Sequence, residues 1–335
     1  MSTPATERMR LLELIGSSWR TQAIHAMVEL RIADRLAAGS MQPPALAAAV
    51  GADAGALERL LRGLRLLGLL EACPGGVRLT CMGRMLRTDS EQESLADWVR
   101  WWAGAQWGTW GHLPEAVREG EPMRARCSNA GGYGLHATDA AVAQLFHSAM
   151  GQLTSGIAPV LIERIGCLCS RHIVDVGGGR GELLVQVLRA CPEARGILLE
   201  QEHAAAAARD HLEHWDLLRR CTVVTGDFFR DIPAGAQIYL LKSVLHNWDD
   251  VAAEHLLHAC RSAMTEDAAL AIIERVLDDQ ALDEAIVRSD LNMLVSLGGR
   301  ERSVREMQQL LRRCGLSSEA PLVAGEHRLF VCRAV

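Results

Sequence analysis

Lysine is almost missing from this chain: of its 35 basic residues, 34 are arginine and one, Lys242, is lysine. The lone lysine either marks a place where a compact ammonium fits and a broad guanidinium does not, or is the one that a general drift to arginine left behind. No excess of basic charge exists either. The net charge of −6 excludes the strong positive footprint of a nucleic-acid binder. Long apolar runs are absent as well, none reaching the roughly 18 residues of a membrane helix. The opening "MSTPATERMR" mixes acid, base and polar residues, unlike a signal peptide. Membrane insertion and secretion are therefore not expected, and a cytoplasmic location is. Ten cysteines stand at 73, 81, 127, 167, 169, 191, 221, 260, 314 and 332 without one CxxC pair. Several lie in apolar runs, where a thiol acts as a small hydrophobe, so a reduced chain is expected.

What is present is an ordinary globular balance, 49% hydrophobic and 23% charged over 335 residues, long enough for two domains. From Leu11 to Leu36 apolar residues recur every three or four positions, the pattern of amphipathic helices, with a break near Gly16. "PPALAAAVGADAGALERLLRGLRLLGLL" reads as helix, turn and longer helix. "EACPGGVRLT" after it reads as a hairpin about a Pro-Gly-Gly turn, which completes a winged-helix pattern. Residues 43–100 balance seven arginines with seven acids, so this wing is expected to pack or dimerise and not to hold DNA. Trp98, Trp101, Trp102, Trp107 and Trp110 follow, then a glycine-rich stretch and the helical "DAAVAQLFHSAMGQL", a segment suited to roof a pocket or to plain core. From Arg171 onward "HIVDV", "GILLE", "TVVT", "IYLL" and "ALAIIE" alternate with helical stretches, and "APLV" and "HRLFVC" close the chain. Such alternation predicts an α/β fold, a parallel sheet covered on both faces and ended by an antiparallel hairpin.

In open sheets of this kind ligands bind beyond the carboxyl ends of the strands. After the first strand stands "DVGGGRGE", whose Gly177, Gly178 and Gly179 let backbone approach a ligand at a helix start. The pattern departs from the dinucleotide GxGxxG because Glu182 occupies the last position. A carboxylate there opposes a pyrophosphate and suits a nucleoside bearing an ammonium and a sulfonium, which points to S-adenosylmethionine. Glu200 ends the second strand, where it can take both ribose hydroxyls. Asp227 and Phe228 of "GDFF" can take an adenine amino proton and cover the base. The fourth strand ends in "LLKSVLHNWDD", with Lys242 and His246; a packed histidine at a strand end is the plain alternative to a base.

Together "VDVGGGRGE", "GDFF", "LKSVLHNWDD", "IIER" and "GGRERS" resemble the S-adenosylmethionine-dependent small-molecule O-methyltransferases of the plant caffeate and bacterial antibiotic-tailoring type. The resemblance extends to "FHSAM" and "WGHLPEAVREGEP" and covers nearly the whole chain. It implies a class I methyltransferase, Rossmann-like sheet at 166–335, a helical connector at 98–165 that contributes to the substrate pocket, and a winged-helix dimerisation domain at 1–97. His246 would remove a hydroxyl proton, oriented by Glu274 and Glu301. Asp175, Gly177, Gly179, Glu200, Asp227, Phe228 and Lys242 would hold the cofactor. Phe146, Met150, Asn247, Asn292 and Met293 would line the acceptor pocket, with Asp290 beside them. The implied partners are a small aromatic acceptor and a second copy of the chain.

A phenol with a pKa near ~10 and a histidine near ~6.5 suit this proton transfer. Two departures stand out: the family usually has aspartate where this chain has Asn247, and more often aspartate where it has Glu200. Asn247 removes a charge beside the base, so His246 is expected to be less biased towards its cation. No metal is expected, since Asp249 and Asp250 read as helix-start residues and His255 and His258 as one helix face. Carbon or nitrogen remains an alternative acceptor, and a ligand-sensing winged-helix regulator is an alternative of another kind.

Overall fold

The computed structural model describes residues 4–89, 94–123, 139–165, 171–278 and 280–335. The chain divides into two compact units, Met1–Trp107 and Gly108–Val335. The glycine-rich stretch near 131–134 lies outside the described residues.

The first unit carries α1 (Pro4–Gly16), α2 (Ser18–Glu29), α3 (Ile32–Arg35), α4 (Pro43–Val50) and α5 (Ala54–Leu66). β1 (Leu70–Cys73), β2 (Gly76–Leu79), α6 (Cys81–Arg84) and α7 (Ala96–Arg100) follow, the last running into a π-turn. Pro43 starts α4, where a missing N–H costs nothing, and Gly51 ends it in the left-handed region. Asp53 caps α5 by accepting from the Ala56 N–H at 2.8 Å. Leu57, Leu61 and Leu64 recur along the buried face of α5 and join Met27, Ile32 and Leu46 in one core. The register Cys73↔Gly76 closes the antiparallel hairpin about Pro74 and Gly75. Helix, turn, helix and hairpin therefore stand as the sequence pattern predicts. None of the residues of α1 is buried, and Leu14 and Ile15 are 63% and 70% exposed.

After α8 (Trp107–Trp110), the second unit contains α9 (Leu113–Glu119), α10 (Ala140–Ile165), β3 (His172–Val176), α11 (Glu182–Ala190), β4 (Arg195–Glu200), α12 (Glu202–His214), β5 (Cys221–Thr225) and β6 (Ile238–Lys242). It continues through α13 (Asp250–Ala263), β7 (Ala269–Leu277), α14 (Glu284–Ser296), β8 (Arg302–Ser303), α15 (Val304–Arg313), β9 (Leu316–Ser318), β10 (Leu322–Ala324) and β11 (His327–Ala334). The strand order is β10-β11-β7-β6-β3-β4-β5, with β8 beside β7 and β9 beside β11. β3 through β7 are parallel, and β11 runs antiparallel to β7, β9 and β10. The mixed sheet and its closing hairpin match the expectation. The short β8 and β9 were not foreseen, because two or three residues carry no legible period.

One face of the sheet packs Tyr239, Leu241, Ile272 and Phe330 against Leu256, Leu257 and Leu310. The other packs Ile173, Leu240, Ile273 and Leu329 against Leu161, Leu184 and Leu188. Cys260, Cys314 and Cys332 belong to the first core, and burial pushes the Cys332 thiol up to about 12. These three, with Cys73, Cys81 and Cys221, are free thiols. Cys191, buried in the second core, is not among these free thiols.

Candidate active site

The carboxyl end of β6 turns sharply. Ser243 sits at φ +54°, in the left-handed region that a serine enters only when its surroundings hold it there. Those surroundings are Glu274 of β7, whose Oε1 accepts from the backbone N–H of Val244 at 3.0 Å, Leu245 at 2.8 Å and His246 at 3.4 Å. Three converging amides form a small anion nest, and the buried carboxylate fills it. The turn continues as a 3₁₀ segment, Leu245–Asn247, which carries His246. Behind it, the guanidinium of Arg302 donates to the carbonyls of Leu245 at 3.1 Å and Trp248 at 2.9 Å and to Asp250 at 2.9 Å. Arg302 is only 2% exposed, so it works as an internal clamp. Gly299 completes the packing: a Cβ there would lie 2.1 Å from the His246 carbonyl oxygen. Any side chain would therefore displace the turn.

Against this frame His246 Nδ1 lies 2.9 Å from Glu301 Oε1 and 3.7 Å from Glu274 Oε2. Glu301 is itself fixed, since Ser289 Oγ donates to its Oε1 at 2.6 Å and its own N–H donates to Asp290 at 2.8 Å. A carboxylate on Nδ1 selects the tautomer with the proton on that nitrogen, which leaves Nε2 as the acceptor. Burial opposes a charge on His246, but Glu301 and Glu274 outweigh it and hold the imidazole pKa above the ordinary 6.5. Burial raises Glu301 too, yet His246 and its hydrogen bond bring that carboxyl below its usual range; burial leaves Glu274 raised. The two acids therefore play different parts. Glu301 is the direct partner of the imidazole, and Glu274 chiefly caps its turn. Asn247 puts no charge beside the base, and Glu301 and Glu274 supply the charges that favour its cation. Asn247 instead donates from Nδ2 to the Ser243 carbonyl at 3.2 Å.

His246, Glu274 and Glu301 also lie close enough together to hold a metal ion, their ligand atoms all within 4.8 Å. Glu274 Oε1 and Glu301 Oε1 are spent on backbone amides, His246 and Ser289, whereas Oε2 of each is buried without a hydrogen bond. Asp249 caps α13 and Asp250 opens it, as the sequence indicates, and His255 and His258 lie on that helix, outside the cluster.

The glycine loop follows β3. Gly177 and Gly179 have φ of +67° and +62°. A Cβ on Gly178 would meet Asp175 Oδ2 at 2.3 Å, so that residue has no room for a side chain. Glu200 Oε2 accepts from the Gly179 N–H at 2.9 Å and Oε1 from Gln201 at 2.8 Å, and each oxygen keeps a lone pair for a hydroxyl. Burial raises the Glu200 pKa. Asp175 is 2% exposed, and its Oδ2 has no partner. Burial and then Glu200 push its carboxyl up to about 7, against Lys242. The Phe228 ring stands over Gly177, 3.4 Å from where a Cβ would be, and Asp227 accepts from the Phe229 N–H at 3.0 Å. Lys242 Nζ donates to Thr154 Oγ1 of α10 at 3.0 Å. Buried acceptors beside backbone that a side chain would obstruct fit a nucleoside bearing an ammonium.

α10 passes over this loop, with Gly151 against Arg180 and His147 against Gly179. Phe146 and Met150 are half-buried on α10; on α14 Met293 is buried and the Asn292 Oδ1 accepts from Ser296. Glu182 does not stand as a bare charge at the loop, as its place in the sequence suggests. Arg180 lies at 2.9 Å, His211 at 3.1 Å and Gln186 at 3.2 Å, and its carboxyl is held down to about 2. The clamp of Arg302, the support of Ser289 and the contact with Thr154 were missed by sequence reasoning. Only "GGRERS" itself, with a glycine pair before three charges, signalled that the first of these segments mattered.

A sheet of this order, with its glycine loop at the first crossover and its acid at the end of the neighbouring strand, is that of the class I S-adenosylmethionine-dependent methyltransferases, and the chain is an enzyme of that class. It belongs to the O-methyltransferase family: residues 110–317 match the O-methyltransferase domain and residues 12–89 the O-methyltransferase dimerisation domain. The mitomycin biosynthesis 6-O-methyltransferase of Streptomyces lavendulae is 34% identical over 93% of this chain and 90% of its own length. The phenazine-1-carboxylate N-methyltransferase of Pseudomonas aeruginosa is 31% identical over 92% of each chain. The crystal structure of NcsB1, an O-methyltransferase from neocarzinostatin biosynthesis, contains S-adenosylmethionine and 2-hydroxy-5-methyl naphthoic acid. It superposes with a TM-score of 0.76 at 31% identity, covering 94% of this chain and 96% of its own. The cofactor of the chain is S-adenosylmethionine. Among the described residues no helix is long and apolar enough to cross a membrane.

Proposed function

We propose that the chain moves the methyl group of S-adenosylmethionine to a hydroxyl of an aromatic specialised metabolite, with His246 as the general base. The observation that carries this reading is the 2.9 Å pair of His246 Nδ1 and a buried Glu301, which turns a neutral Nε2 away from the carboxylate. Bound at the glycine loop, the cofactor supplies a methyl activated by its sulfonium. Asp175, Gly177, Gly179, Glu200, Asp227, Phe228 and Lys242 would hold it. His246 takes the hydroxyl proton at Nε2, and Glu301 stabilises the imidazolium so formed. Phe146, Met150, Asn247, Asn292 and Met293 would position the ring, and alignment of this kind contributes on the order of ~7 kcal/mol in favourable cases. Product analysis tests the reading: incubation with candidate phenols should give an O-methyl resonance in the NMR spectrum, and N-methyl products alone would overturn the hydroxyl acceptor. Nitrogen is the second reading, favoured by the 31% identical phenazine-1-carboxylate N-methyltransferase.

Since Glu301 Oε1 is bonded to His246 and Ser289, and Glu274 Oε1 to the backbone of the turn, turnover is expected to be unchanged after dialysis against EDTA. A loss restored by a divalent cation would contradict the base assignment.

The match to a dimerisation domain and the bare apolar face of α1 support a homodimer. Leu12→Glu combined with Ile15→Glu is expected to halve the mass found by light scattering with little change in the far-UV spectrum. An unchanged mass would remove α1 from the interface.

A further inference from the structure

Three groups at the carboxyl edge of the sheet face one another from adjacent strands. Lys242 ends β6, Arg275 lies near the end of β7, and His327 opens β11. Arg275 and His327 are register partners, and Lys242 pairs with Ile273, two residues before Arg275. Side chains alternate along a strand, so each shares its face with the residue two positions away. Those residues are Leu240, Ile273 and Leu329, all in the core that holds Ala158 and Leu161 of α10. The three polar groups therefore lie on the face covered by α10, where Thr154 meets Lys242.

This cluster is rich in donors and short of acceptors. The ammonium of Lys242 has three donors, of which Thr154 takes one. Arg275 Nη2 reaches Glu326 at 3.1 Å, but its Nε is buried and bonded to nothing. His327 is 3% exposed, and neither of its ring nitrogens has a partner. Asp175 and Glu274 are the acids that act on Lys242. Glu274 Oε1 belongs to the turn of His246, and Asp175 Oδ2 is bonded to nothing, the lysine included. Buried donors without acceptors are costly, and so are buried cations without an anion. Arg275 and His327 lie outside the hydrogen bonds that hold His246, although the Arg275 charge opposes protonation of the imidazole.

We propose that Lys242, Arg275 and His327 form a carboxylate-binding site beneath α10. A carboxylate has two oxygens and about four lone pairs, enough for an ammonium, a guanidinium Nε–H and an imidazole N–H at once. Burial, with Lys242 and Arg275, holds the His327 pKa down to about 2. Its ring is thus neutral at physiological pH and adds a donor without adding charge. Burial and Arg275 likewise bring Lys242 down to about 8, a repulsion that a bound anion relieves. Two sources supply this chemistry: the amino-acid end of the cofactor, or a carboxylate on the aromatic acceptor, the latter resting on the acceptor reading given above.

Calorimetry on the full chain distinguishes them. Wild type, Arg275→Gln and His327→Gln are titrated with S-adenosylhomocysteine, with 5′-methylthioadenosine, which keeps the nucleoside but lacks the carboxylate, and, after saturation with S-adenosylhomocysteine, with benzoate. If the cofactor fills the site, both variants bind S-adenosylhomocysteine about tenfold or more weakly and methylthioadenosine as before. If the acceptor fills it, S-adenosylhomocysteine is unaffected and benzoate binding falls by the same factor. Unchanged binding of all three ligands to both variants overturns the proposal, while binding of S-adenosylhomocysteine by the wild type tests the cofactor reading separately. A second measurement needs no substitution. Because the chain has one lysine, ¹³C-lysine labelling gives one side-chain Cε resonance, whose titration midpoint should rise when a carboxylate binds. A midpoint that no ligand moves also overturns the site.

Discussion

Replacement of His246 by alanine is expected to lower kcat by a factor of about 10² to 10⁴, the usual contribution of a positioned base, with the affinity for S-adenosylhomocysteine unchanged. The separation follows from position: His246 follows β6, whereas the glycine loop and Glu200 follow β3 and β4. The pH profile gives a sharper form of the test. A base must be neutral to accept, so kcat/KM should rise with pH through the pKa of His246. Glu301 and Glu274 hold that pKa above 6.5, which puts the midpoint of the acid limb above pH 6.5. Glu301→Gln removes one of the charges that opposes the burial effect, so the midpoint should move down while the maximal rate falls. Full activity in His246→Ala would end the assignment, and an unmoved limb in Glu301→Gln would end the pairing.

The second large effect is expected at Arg302, which touches no reacting atom. Arg302→Ala leaves the carbonyls of Leu245 and Trp248 without their donor and Asp250 without its buried cation. Asp250 is half-exposed, so the cost falls chiefly on the two carbonyls left without a donor, about 3 kcal/mol together, or roughly 10 °C in melting temperature for a unit of this size. Because the clamp holds the turn of His246, kcat should fall more than the affinity for S-adenosylhomocysteine. Lysine in its place restores charge but cannot span three acceptors, so Arg302→Lys should recover stability better than rate. Equal losses of rate and cofactor affinity would mean that Arg302 serves the whole unit and not the turn.

Much of the fold is legible in the sequence for local reasons. Short runs such as "HIVDV" and "ALAIIE" declare β3 and β7 through composition and length, and Pro43, Gly51 and Asp53 mark the bounds of α4 and α5 through backbone chemistry. The rule that ligands sit at strand ends then points to Glu200, Lys242 and His246 without any contact being known. The division of labour between the two acids is not legible. Glu274 is 28 residues from His246 and Glu301 is 55, and both read simply as acids near a base. Glu182 misleads in part for the same reason: besides Arg180 of the loop it meets His211, which comes from α12 and which no pattern around the glycine loop displays. Asn247 reads as a lost charge, whereas in the fold it is a brace for the left-handed turn at Ser243.

The sequence by itself determined the class of fold, the order of the strand ends and the types of group available there, because hydrophobic period, turn residues and motif spacing act over a few residues. Tertiary structure decided which oxygen meets which nitrogen. Parallel register sets Glu274 under the turn after β6, and the missing Cβ of Gly299 lets the segment of Glu301 and Arg302 close on that turn. The same packing gathers Lys242, Arg275 and His327 from three strands onto one covered face. Distances of this kind depend on register and close packing between distant segments, and a linear pattern does not carry them.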